Sequence, residues 1–161
     1  MNLIKMISRV FLAFKYPSSL LYPHSYCQSA YIKYLRKGGV VIGEGTRFVS
    51  PHLCSIDPGR MDYIEIGNNC AFSVASILAH DYSWYTLLES CGDMLPDAGG
   101  RVKIGNNVFV GYQALILKDT IIGDNVIIGA GSVVNRDIPS NSIAAGVPCK
   151  VICTIDEYKK K

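Results

Sequence analysis

The sequence lacks most of the features that announce a protein's chemistry. Its six cysteines (Cys27, Cys54, Cys70, Cys91, Cys149 and Cys153) form no C-x-x-C pair, so neither a structural zinc site nor a dithiol redox motif is written in it. No low-complexity tract or Pro/Gly/Ser linker divides the 161 residues, which points to one domain. Sixteen basic against 13 acidic residues give a net charge of +3, too slight to argue for nucleic acid. The terminal run Lys159-Lys160-Lys161 reads as a solvated end. There is one tryptophan, Trp84, and there are three histidines, His24, His52 and His80, none close to another in sequence. A zinc-dependent hydratase of the γ-carbonic anhydrase kind, which needs three converging histidines, is therefore disfavoured.

The N-terminal stretch is apolar but too short and too charged for a membrane span, and Ala-x-Ala-like cleavage chemistry is missing. Leu3, Ile4, Ile7, Val10, Phe11 and Phe14 recur at helical spacing while Lys5, Arg9 and Lys15 serve a polar face. The spacing predicts an amphipathic helix ended by Pro17, within an N-terminal helical segment over 1–39. It docks on the body of the protein or a neighbouring subunit, or touches an anionic membrane surface peripherally. Scattered cysteines without a cleavable signal read as reduced thiols in a cytoplasmic protein.

What the sequence does have is a period of six. Ile104, Val110, Ile116, Ile122, Ile128 and Val134 stand at every sixth position, a spacing that belongs to neither an α-helix nor a flat sheet. Four residues after each stands a second candidate inward residue: Val108, Ala114, Thr120, Val126, Ser132 and Ile138. Gly105, Gly111, Gly123 and Gly129 follow four of the aliphatic residues, where a tight corner would call for positive φ. Six residues make one short strand and a corner, and three such sides close a triangular coil of roughly 18 residues. Stacking then sets Ile104 on Ile122, Val110 on Ile128 and Ile116 on Val134, each contributing about 1.5–3 kcal/mol if fully buried.

The same phase continues upstream through Val41-Ile42-Gly43-Glu44-Gly45-Thr46 and Ile64-Glu65-Ile66-Gly67-Asn68-Asn69-Cys70, with Phe72 and Leu78 at further six-residue steps. About five coils fit between Val40 and Pro139. From His80 to Arg101 the period is lost, and that stretch reads as a long loop expelled from the coil. Loops of that length are uncommon in compact domains and usually functional. The expected fold is all-β: a parallel β-helix over 40–153, a tail over 154–161, and loop 80–101.

Three segments carry a resemblance to a known family. They are Lys103-Ile104-Gly105-Asn106-Asn107-Val108-Phe109-Val110-Gly111, Ile122-Gly123-Asp124-Asn125-Val126-Ile127-Ile128-Gly129-Ala130-Gly131-Ser132, and Ala144-Ala145-Gly146-Val147-Pro148-Cys149-Lys150-Val151-Ile152. Over about residues 40 to 153 the chain resembles the hexapeptide-repeat acyltransferases, within them the sugar O-acetyltransferases similar to the maltose, galactoside, capsule and lipopolysaccharide enzymes. The stretch Ser76-Ile77-Leu78-Ala79-His80-Asp81-Tyr82-Ser83-Trp84 resembles the active-site segment of the polysaccharide-linked branch.

The resemblance implies a left-handed β-helix, acetyl-CoA as co-substrate, no metal, and a homotrimer with active sites between subunits. It implies transfer of an acetyl group to a hydroxyl of a sugar or cell-surface polysaccharide precursor. The alternatives are a non-sugar or amino-sugar acceptor, or a catalytically silent trimeric scaffold. His80 is the expected general base, since an imidazole titrates near neutrality and can take the hydroxyl proton as attack begins. Its orienting partner stays open among Asp57, Glu65, Asp81, Glu89, Asp93 and a backbone carbonyl, with Asp81 set against by adjacency in extended chain. The oxyanion is expected to meet a backbone N–H at Gly111 or Tyr112. By resemblance, CoA falls on Phe109, Gly111, Tyr112, Ala130, Asn135 and Lys150, with Ala130 serving the pantetheine amides and Lys150 the nucleotide end. Tyr112 and Asn135 depart from the family's usual smaller residue and threonine. Trp84, Tyr82, Asp81 and His52 are candidates to meet the acceptor, Trp84 by stacking on a pyranose face.

Overall fold

A computed structural model describes residues 24–92 and 98–160. The expected amphipathic helix before Pro17, its membrane contact and Asp93 lie outside the described residues.

The described residues begin with helix α1 (His24–Gly38) and then wind through β1 (Val41–Ile42), β2 (Arg47–Phe48), β3 (Ser55–Ile56), β4 (Ile64–Ile66), β5 (Ala71–Phe72) and β6 (Ser76–Ile77). Helix α2 (Ser83–Cys91) follows, then β7 (Val102–Ile104), β8 (Phe109–Val110), β9 (Leu115–Ile116), β10 (Thr120–Ile122), β11 (Ile127–Ile128) and β12 (Val133–Val134). The chain closes with β13 (Ser142–Ala145), β14 (Lys150–Thr154) and the short helix α3 (Ile155–Tyr158).

Every third strand pairs in parallel, giving three sheets ordered β1-β4-β7-β10, β2-β5-β8-β11-β13-β14 and β3-β6-β9-β12. Among the strands of the described residues only β13 and β14 pair antiparallel. Four complete coils are formed, and Ile138, bridged to Ile122, begins a fifth that β13 continues. The expected stacking is found, with Ile104 paired with Ile122, Val110 with Ile128, and Ile116 with Val134.

The core is a set of ladders. Ile42, Ile66, Ile104 and Ile122 bury against one sheet, Phe48, Phe72, Val110, Ile128 and Ala144 against the second, and Ile56, Ile77, Ile116 and Val134 against the third. All six small inward residues named from the sequence are buried, as is Cys70. Buried polar members are satisfied locally: Thr46 Oγ1 donates to the Gly67 carbonyl (2.7 Å), and Ser132 Oγ to that of Gly129 (2.7 Å). Helix α1 closes the first end of the coil, with Leu35 fully buried and Tyr31 edge-on to Phe48, itself stacked on Phe72 at 4.9 Å.

Three expectations need correction. Leu78 is exposed and Ile77 is the inward residue, because the corner before β6 is one residue shorter than the corner before β9. The stretch from His80 to Arg101 is not wholly a loop: α2 occupies nine of its residues and ends at Gly92 in the left-handed region, φ 72°. Finally, the glycines after the aliphatic ladder do not carry positive φ. That conformation falls two residues later, on Asn69, Asn107 and Asn125. Asparagine tolerates it, and these side chains stack, Asn107 Nδ2 donating to Asn125 Oδ1 (3.0 Å) and Asn125 Nδ2 to Asn141 Oδ1 (2.9 Å).

What Gly105 and Gly111 provide is close approach between coils. A Cβ on Gly105 would lie 2.5 Å from Asp124 Oδ1, and one on Gly111 2.6 Å from the Ala130 nitrogen. Gly131, in contrast, has φ 66° and open space around it. Gly105→Ala is expected to cost about 1–3 kcal/mol through overpacking against backbone. Gly131→Ala is expected to cost only about 1 kcal/mol through its dihedral. Urea midpoints of the two variants check the order; equal losses would mean that coil spacing is not the constraint.

Candidate active site

The corner between the third sheet and the first concentrates the titratable side chains. Ile56 pairs with Ile77, so Asp57 at the end of one coil lies beside the Leu78–His80 segment of the next. The Asp57 carboxylate is almost fully buried and is surrounded by donors. Its Oδ2 accepts from the N–H groups of Ala79 (2.8 Å) and His80 (3.0 Å) and from His80 Nδ1 (2.5 Å), while Oδ1 accepts from the Gly59 N–H (2.9 Å). Burial, the largest single influence, raises the carboxyl. The hydrogen bonds from His80, Gly59 and Ala79 outweigh it together and hold Asp57 below its ordinary value.

An ionised Asp57 can only accept, so His80 Nδ1 carries a proton, and in the neutral ring Nε2 keeps its lone pair. Gly59 completes the cradle: a Cβ there would stand 2.8 Å from His80 Cε1. Of the carboxylates left open by the sequence, Asp57 is thus the one that orients His80. Asp81 turns away and pairs with Lys118 Nζ at 2.8 Å. Glu65 faces Arg101 at 3.7 Å and Glu89 lies exposed on α2.

His80, Asp81, Leu78, Leu117, Lys118, Asp119 and Asn135 line an open cleft of about 380 Å³. Of the residues expected to hold CoA, only Asn135 shares this cleft. Tyr112 and Ala130 stand on the neighbouring corner, ahead of β9 and β12, where the Gly131 N–H donates to the Tyr112 carbonyl (2.8 Å). Phe109 lies exposed on β8, Lys150 exposed on β14, and Gly111 is buried with its N–H given to the Ile128 carbonyl (2.9 Å). Gly111 therefore cannot offer that N–H to an oxyanion, which corrects half of the sequence expectation.

Among the acceptor candidates, Tyr82 stands edge-on to His80 with ring centroids 5.5 Å apart, and Trp84 follows at 6.3 Å from Tyr82. His52 lies exposed on the 3₁₀ turn Pro51–Leu53 and does not line the cleft. Lys118, Asp119 and Gly59 were not singled out from the sequence. The register of β6 on β9 could have found the first two, since it sets Leu117–Asp119 over Leu78–His80.

Burial raises the thiols of Cys54, Cys70 and Cys149, which disfavours the thiolate a cysteine nucleophile needs. Among the described residues no group of three His, Cys, Asp or Glu side chains could hold a metal ion, and no helix is long and apolar enough to cross a membrane.

Stacked hexapeptide coils place the fold among β-helical proteins, and comparison with known proteins narrows that class. Residues 101–136 match the model of the family described as bacterial transferase hexapeptide (six repeats). The galactoside O-acetyltransferase of Escherichia coli K12 is 52% identical over 59 residues, 37% of this chain and 29% of that enzyme. The matched stretch therefore spans less than a third of that relative's length. Among solved structures, a maltose O-acetyltransferase from Clostridium difficile 630 aligns with a TM-score of 0.52 and 28% identity over 81% of this chain and 85% of that one. A hexapeptide-repeat acetyltransferase from Vibrio cholerae aligns at 0.59 with 18% identity, over 73% and 63% of the two chains, a likeness of fold. Residues 101–136 thus carry the hexapeptide repeat of that family, and the fold of the coil is the left-handed parallel β-helix seen in these acetyltransferase structures.

The depressed Asp57 carboxyl has a consequence for stability. A carboxyl whose folded value lies below its unfolded value of 3.8 stabilises the fold fully above that pH, and the contribution is lost as pH falls through the depressed folded value. Urea unfolding from pH 6 to pH 3 should show a steeper acid loss in the wild type than in Asp57→Asn. Parallel curves would mean that Asp57 is not held ionised.

Proposed function

We propose that the chain moves an acetyl group from acetyl-CoA directly to a hydroxyl of a sugar or cell-surface polysaccharide precursor, with His80 as general base. The observation that carries this reading is the buried Asp57, which fixes the His80 tautomer so that Nε2 can accept a proton at the edge of an open cleft. The relatives named for galactoside and maltose O-acetylation support acetyl transfer to a sugar hydroxyl.

The thioester is already activated, so the protein needs only to make the alcohol nucleophilic. Nε2 takes the hydroxyl proton as the acceptor oxygen bonds to the thioester carbonyl carbon. The C–S bond then breaks, and the proton passes from His80 to the departing CoA sulfur. Asp57, remaining ionised, stabilises the imidazolium between these steps. The tetrahedral oxyanion meets a backbone N–H, for which Tyr112 is the remaining candidate.

Phe109, Gly111, Tyr112, Ala130, Asn135 and Lys150 form the proposed path of CoA along the coil flank. Of these six, Asn135 lines the cleft with His80, which supports a place for it toward the reactive end of CoA. Lys150, an exposed cation, suits the nucleotide phosphates. Tyr82, Trp84 and Asp81 border the acceptor side, and a threefold assembly would complete the donor site with a second chain. A cytoplasmic, reducing setting accords with Cys54, Cys70, Cys149 and Cys153 all being free thiols.

His80→Ala should retain acetyl-CoA binding near one per chain by calorimetry while losing at least about 100-fold in transfer. Near-normal turnover would remove His80 from the mechanism. Absence of acetyl-CoA binding by folded wild-type protein would instead favour a silent scaffold.

A further inference from the structure

Lys118 sits beside His80 in the cleft, yet its ammonium is directed to both ends of the segment that leaves the coil. It pairs with Asp81 Oδ2 at 2.8 Å where the chain departs, and donates to the Ala98 carbonyl at 2.9 Å where the chain returns. The same two strands of chain are joined by the Gly100 N–H to Ala79 carbonyl bond (2.8 Å) and by the bridge of His80 to Gly99. Asp81 is held from its other oxygen as well, Oδ1 accepting from the Ser83 N–H (2.9 Å) and hydroxyl (2.5 Å) at the start of α2. An exposed ion pair alone contributes little. Here one cation fixes two backbone segments and, through Asp81 and Ser83, the first turn of a helix.

That turn carries the aromatic row. Tyr82 lies between the anchored Asp81 and Ser83 and packs edge-on to His80, Trp84 is 6.3 Å from Tyr82, and Tyr85 meets Trp84 edge-on at 6.0 Å. We propose that Lys118 is a positioning residue for the acceptor: by clamping Asp81 and Ala98 it sets Tyr82 and Trp84 as the wall beside His80, and its charge is thereby committed to the protein. The acceptor group next to the attacked hydroxyl is accordingly uncharged, since Lys118, the one lysine lining the cleft among the described residues, is already paired with Asp81 and the Ala98 carbonyl.

The inference rests on the acetyltransferase reading for its kinetic arm but not for its spectroscopic one. Trp84 is the only tryptophan, so its emission reports this wall without any ligand. In the full chain, Lys118→Met should raise acrylamide quenching of Trp84 and Lys118→Arg should restore it. With acetyl-CoA and the neutral sugar acceptor that the wild type uses, Lys118→Met should raise acceptor KM about tenfold while leaving KM for acetyl-CoA within about twofold. Asp81→Asn should move both readouts the same way, and it carries the test if Lys118→Met fails to fold. Unchanged quenching in the folded variants overturns the clamp. Increased quenching with unchanged acceptor KM overturns the positioning role, and a wild type that prefers a uronic acid to its neutral sugar overturns the committed charge. If the wild type transfers to no acceptor at all, the acetyltransferase reading fails and the quenching result still decides the clamp.

Discussion

The parallel register of one coil on the next is the constraint on which the rest of the molecule depends. Backbone N–H and carbonyl groups pair from coil to coil, Gly43 to Ile66, Gly67 to Ile104 and Gly105 to Ile122 at 2.8 Å each. Each coil therefore repeats the direction of every side chain below it. Apolar residues then stack only on apolar residues, and a corner stacks only on a corner. Because the interior is narrow, the second inward position of each side takes valine, alanine, cysteine, serine or threonine as a rule, and the small hydroxyls are satisfied by the coil's own carbonyls.

The same register builds the site. Asp57 and His80 are separated by 23 positions in sequence but are neighbours because each follows a strand of the third sheet by a few residues. The two preceding strands are buried at Ile56 and Ile77, so the pair stands on rigid elements and not on a free loop. Four hydrogen-bond donors converge on Asp57, three of them backbone N–H groups, which makes the carboxylate part of the scaffold that holds the imidazole. Asp81, adjacent to His80 in sequence, is placed by the alternation of extended chain to answer Lys118 instead.

Much of this was legible in the sequence, for one physical reason: a period of six can be counted, and whatever depends only on the count comes out right. The ladders from Ile104 to Val134 and the inward place of Cys70 are of that kind. Leu78 failed because one corner is shorter by one residue, and a single deletion shifts every later residue to the opposite face. The glycines were found but misexplained, since composition cannot distinguish a residue needed for its φ from one needed for lack of a Cβ. Helix α2 was hidden because Ser83–Cys91 is only nine residues long, too short for an apolar helical period to repeat. Asp57 could be named only as one of several carboxylates, because its coil ends in the irregular stretch Asp57–Tyr63, where the count gives no register.

The structure also bears on whether such a coil need be catalytic at all. A scaffold is stabilised by its ladders, and burying a carboxylate at a corner adds a desolvation cost that an apolar residue would avoid. Asp57 is buried nonetheless, with donors enough to keep it charged, and the group it holds is half-open to a cleft. The same corner of the next coil carries Lys118, whose partners belong to the segment that departs from the coil after Ala79. Charged groups are thus concentrated where the repeat is interrupted, at the Asp57–Tyr63 corner and at the His80–Gly100 excursion, while the uninterrupted coils keep their charges exposed. Polar satisfaction explains how these groups are tolerated. The proposed proton transfer at Nε2 supplies a reason for gathering them around one imidazole.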